Sequence, residues 1–64
     1  MEKVTRTRAG TKEYLTEDGG HWDTDPNKAK LMSEDIAKAT ANGLHMTAIG
    51  QKWNEGERFI YGTE

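Results

Sequence analysis

The chain has no cysteine, one proline, one serine and no apolar run long enough to span a membrane. Each shortage removes a class of protein. Without cysteine there is no disulfide staple, no thiolate metal site and no thiol nucleophile. The lone serine, Ser33, sits before Glu34-Asp35 where a helix start is expected, so hydroxyl nucleophilic chemistry has little to draw on. The only paired glycines, Gly19-Gly20, are followed by His21-Trp22-Asp23 and do not make a phosphate-cradling loop. Met1-Glu2-Lys3 does not open a secretory signal, and with no membrane span the expected setting is the cytoplasm.

At 64 residues the expectation is one domain, 1–64, with a small core. Such a core contributes only roughly 3–5 kcal/mol unless a partner or second copy adds to it. The net charge of −2 conceals a division. Lys3, Arg6, Arg8 and Lys12 oppose Glu2 at the start, whereas Glu13, Glu17, Asp18, Asp23, Asp25, Glu34 and Asp35 outnumber Lys28 and Lys30 in the middle. Two-signed surfaces of this kind do not suit a general polyanion binder.

Residues 3–8 (KVTRTR) alternate as a half-exposed strand should, Gly10 supplies a turn, and KEYL resumes a second strand. Asp18-Gly19 ends it. Asp25-Pro26 reads as a capped helical turn. A fuller helix starts at Ser33, with Glu34 paired to Lys38 four residues on and Ile36, Ala37, Thr40 and Ala41 as its inner face. Asn42-Gly43 is expected to end it, with Leu44 folding back. LHMTAIGQKW then reads as a long strand with a bulge at Gly50, NEGE as a hairpin turn and RFIY as the last strand. The expected fold is α+β: a small antiparallel sheet in the order β-β-α-β-β, with one helix packed across one face. The expected core is Val4, Leu15, Trp22, Leu31, Ile36, Ala37, Leu44, Met46 and Phe59.

The run Tyr14-Leu15, Asp18-Gly19, Trp22, Asp25, Ala29-Lys30, Met32-Ser33, Glu34, Ala37 resembles a pattern in small, mostly uncharacterised phage-type proteins. The resemblance covers about residues 12–49, and its fixed positions are turns, caps and core anchors. It therefore implies a fold, a hairpin followed by a turn, a capped helix and a strand, more than an activity. It also implies a phage or prophage origin and a bacterial host cell. Met32 departs from the aromatic commoner at its position, and the expected hairpin in residues 50–61 is an addition.

The stretch EDGGHWDTDP invites a metal reading, but the spacing fails it. Asp23-x-Asp25 is followed by Pro26, and a zinc site from His21, Asp23 and His45 lacks a fourth ligand. Trp22 as a core plug and Asp25 as a helix cap account for the stretch more simply. The expectation is no catalytic residue, no metal and no cofactor. Arg6, Arg8, Lys52, Trp53, Arg58 and Tyr61 form the candidate contact surface, since arginines and amphipathic aromatics anchor interfaces. The expected function is a small non-enzymatic protein-binding module. With the resemblance, it becomes a phage or prophage accessory protein that modulates a bacterial host or phage protein. An exposed edge strand also offers pairing with a second copy. The competing reading is weak single-stranded nucleic-acid binding by the same basic and aromatic sheet face. An acidic mimic of nucleic acid fits less well, since two of its seven carboxylates lie at a helix start.

Overall fold

The computed structural model describes residues 1–50 and 58–64. Its first two strands, β1 (Val4–Arg8) and β2 (Thr11–Leu15), pair antiparallel with Arg8 opposite Thr11. Ala9 and Gly10 alone form the loop, and both have positive φ, 51° and 82°. That backbone matches the right-handed twist of the flanking strands, which is why two-residue hairpins favour it.

After β2 the chain turns through residues 17–20 and returns as β3 (Trp22–Asp23), with Leu15 opposite Trp22. Asp25 caps the 3-10 turn Pro26–Lys28 by accepting from the Asn27 N–H at 2.9 Å, and Pro26 opens that turn. Ser33 caps the long helix α1 (Glu34–Ile49), its hydroxyl accepting from the Ile36 N–H at 3.4 Å. The last strand, β4 (Ile60–Thr63), pairs antiparallel with β1. The result is a four-stranded antiparallel sheet ordered β3-β2-β1-β4, with α1 lying against β4 and β1.

Among the described residues the fold is therefore α+β with one α-helix, as expected, but its order is β-β-β-α-β and not β-β-α-β-β. The helix does not stop at Asn42-Gly43. It continues to Ile49, so residues 44–49 are helical where a strand was expected, and Gly50 is its C-cap and not a bulge. The reason lies in the spacing of its inner face. Ala37, Ala41 and Ala48 are buried and Leu44 is half-buried, which makes one stripe at helical period. Burial along that stripe outweighs the roughly 1 kcal/mol that a mid-helix glycine costs relative to alanine. Thr40 and Thr47 fit the helix by donating their hydroxyls to the carbonyls of Ile36 and Gly43, at 2.8 and 2.9 Å.

Lengthening the helix also revises the core. Val4 is fully buried and clusters with Met32, Ala37 and Ala41, with Leu15, Trp22 and Leu44 packed against them. Leu31, Ile36 and Met46, expected inside, are 53%, 59% and 57% exposed. Ile36 and Met46 fall off the alanine stripe, and the chain beside Leu31 instead turns Met32 inward through a bridge to Glu2. The last strand is also displaced from the expected 58–61 to Ile60–Thr63. The end of the expected long strand at 51–53 and the expected turn at 54–57 lie outside the described residues.

Candidate functional site

Strand alternation and register decide which side chains meet. Val4, Arg6 and Arg8 share one face of β1, the face on which Val4 meets the helix. Arg6 lies opposite Glu13 on β2 and opposite Tyr61 on β4. Leu15 and Trp22 continue the same face across β2 and β3, and Phe59 precedes Tyr61 by the two residues that keep it there. Two arginines, one carboxylate and three aromatic rings are thus brought together from opposite ends of the chain.

Their geometry is well defined. Arg6 Nε donates to Glu13 Oε1 at 2.9 Å. The guanidinium of Arg6 lies 4.5 Å from the Trp22 ring centroid and 4.3 Å from that of Phe59. Arg8 stacks on Phe59 at 4.5 Å. Tyr61 closes the group, tilted against Trp22 at 6.1 Å and against Phe59 at 6.2 Å. The Arg6 and Glu13 side chains are only 23% and 26% exposed, so this pair is screened less than a surface bridge. Flanking rings and a carboxylate together offset the cost of desolvating a cation on a core-facing strand position.

Of the six expected contact residues, Arg6, Arg8 and Tyr61 are brought together. Arg58 is exposed at the entry to β4, next to Phe59 in the chain. Lys52 and Trp53 lie outside the described residues. The expected contact surface omits Glu13, Trp22 and Phe59, the two rings being expected in the core. The signal was there in the alternation, because Arg6 shares a face with buried Val4 and a cation so placed needs rings or a carboxylate beside it.

The acidic loop is self-satisfied. Asp18 accepts from the Thr16 hydroxyl at 2.7 Å and the Gly20 N–H at 3.0 Å, and contacts His21 Nδ1 at 2.8 Å. These bonds, the Thr16 hydroxyl foremost, hold its carboxyl well below the usual carboxylate range. Gly19, at φ 72°, lets the turn close, and the Thr16 N–H returns to the His21 carbonyl at 3.0 Å. Asp23 accepts from the Asp25 N–H at 2.8 Å and lies 3.7 Å from Lys28 Nζ. Asp18, Asp23 and Asp25 are thus spent on turns and a cap, and among the described residues no three His, Asp or Glu side chains group as a metal site would require.

No protein-family model matches the chain, and neither the curated proteins nor the solved structures contain a match to it. Among the described residues no helix is long and apolar enough to cross a membrane.

Proposed function

We propose that this chain is a small, non-enzymatic protein-binding module whose contact surface is the arginine–aromatic face. The observation that supports this reading is the fixing of Arg6 between Trp22 and Phe59 with Glu13 as its counter-ion. That arrangement orders Phe59, Tyr61 and Arg8 before any partner arrives, so less side-chain freedom is lost on binding. Arginine and tyrosine, held in this way, are the side chains that dominate protein interfaces. Exposed Arg58 extends the proposed surface, and Lys52 and Trp53 are assigned to it from the sequence alone. On the resemblance in the turn and cap positions alone, the module acts in the cytoplasm of a bacterial host as a phage or prophage accessory protein that modulates a host or phage protein.

Nucleic acid is the less favoured occupant of this face. Phosphate binding draws on unneutralised cations, whereas Arg6 already has a carboxylate and the chain as a whole is at −2. The test is capture from bacterial lysate by the tagged chain, with and without nuclease, beside the doubly substituted Trp53→Ala, Tyr61→Ala chain. A protein retained after nuclease and lost with the double substitution is the expected result. Equal retention by a folded double variant would remove this face from the reading. Loss of the captured material after nuclease would favour nucleic acid instead.

A further inference from the structure

The two arginines of the face are in unequal states. Both stack on the same Phe59 ring, Arg6 at 4.3 Å and Arg8 at 4.5 Å. Arg6 has Glu13 directly opposite it on β2, and the pair closes at 2.9 Å. Arg8 has Thr11 opposite it, a side chain without charge, and among the described residues it forms no ion pair. It is also exposed. A guanidinium laid on a ring keeps its hydrogen-bonding edge free, and that edge matches a carboxylate in two parallel bonds.

We propose that Arg8 is the receptor for a carboxylate side chain on the partner protein, which does for Arg8 what Glu13 does for Arg6. This deepens the protein-binding reading and rests on it. The charge balance of the chain narrows the occupant further. The net charge of −2 disfavours a strand that carries a negative charge at every unit more than it disfavours one acid brought in at a fixed point. The fitting occupant is therefore a protein segment with a single carboxylate directed at Arg8, and not a polyphosphate backbone. The ordering of Arg8 by Phe59 removes part of the entropy that an arginine ordinarily loses on pairing.

Two measurements test this. In the first, the side-chain Nε–H resonances of Arg6 and Arg8 are followed by NMR during titration with acetyl-glutamate methylamide, acetyl-glutamine methylamide and dimethyl phosphate. The Arg8 resonance is expected to move with the glutamate compound, more than with dimethyl phosphate and not with the glutamine compound, while Arg6 stays in place. Equal movement of Arg6 and Arg8, no movement of Arg8, or a stronger response to dimethyl phosphate would overturn the assignment. In the second, Arg8→Gln and Arg8→Glu are compared with the unsubstituted chain in binding the nuclease-resistant protein it captures. The expected losses are about tenfold for glutamine and more for glutamate, with unchanged melting temperatures. Capture by the unsubstituted chain with undiminished binding by both variants would end the carboxylate inference alone. No nuclease-resistant capture at all would end the module reading beneath it.

Discussion

Arg6 and Ala9 show how far a single residue can be read without its neighbours. Arg6 sits between buried Val4 and exposed Arg8 on one strand face, and its charge is accommodated only because Glu13, Trp22 and Phe59 arrive from three other segments. The alternation of the strand is legible in sequence, but the identity of the residues beside Arg6 depends on strand order, which is not. Ala9 is a more local case. Its φ of 51° places a Cβ in the left-handed region, where alanine is strained and asparagine is tolerated. Ala9→Asn creates the Asn-Gly pair preferred in two-residue hairpins, and is expected to stabilise the domain by about 0.5–1 kcal/mol in urea denaturation. An unchanged or lowered midpoint would mean that Ala9 does not hold that conformation in solution. The caps, by contrast, could be read directly, because Ser33 and Asp25 act on backbone groups two or three residues away.

At the scale of elements, the first hairpin and the start of α1 follow from local chemistry, and the end of α1 does not. Asn42-Gly43 is a strong stop signal, and Leu44, Met46 and Ala48 alternate as a strand would. The helix wins because Ala37, Ala41, Leu44 and Ala48 also repeat at its own period, and that stripe lies against the sheet. Two periods compete within a few residues, and only the packing partner separates them. Gly43→Ala distinguishes the two readings with one substitution. A Cβ at Gly43 meets nothing within 4 Å, and the residue is exposed in mid-helix. Alanine there is expected to stabilise the domain by about 1 kcal/mol. A helix that ended at Asn42-Gly43 in the left-handed conformation would instead be destabilised by the same change. The short β3 strand was missed because two residues carry no period at all, and Trp22 declared only that it should be buried.

At the scale of the whole molecule, the two ends of the chain are joined on the sheet face opposite the arginines. Glu64 accepts from Lys12 Nζ at 2.7 Å and from the Tyr14 hydroxyl at 3.0 Å, while Lys3 and Glu64 exchange backbone hydrogen bonds at 2.8 and 2.9 Å. Lys12 and then Tyr14 hold the Glu64 carboxyl below its usual 4.5, so its contribution is complete above that pH and is lost as pH falls through the lowered value. Glu64 in turn raises Lys12 above 10.5 and Tyr14 above 10.0, so their contributions are complete below those values and vanish as pH climbs through the raised ones. Stability is therefore expected to decline on both sides of a broad neutral plateau, with Asp18 adding to the acid side. Glu64→Gln should lower the plateau and flatten both flanks in thermal melts from about pH 2 to about pH 11. Flanks as steep as those of the unsubstituted chain would show that this contact is not closed in solution.

The same joining of distant segments, on the other face, builds the proposed contact surface, and its existence in solution is the central claim. The most direct measurement is the side-chain NMR of Arg6. Clamped between Trp22 and Phe59, its Hδ and Hε protons should be displaced by ring currents and show cross-relaxation to both rings, with loss of the Trp22 contacts in Trp22→Leu. Arg6 signals at random-coil positions, without contact to either ring, would contradict the account.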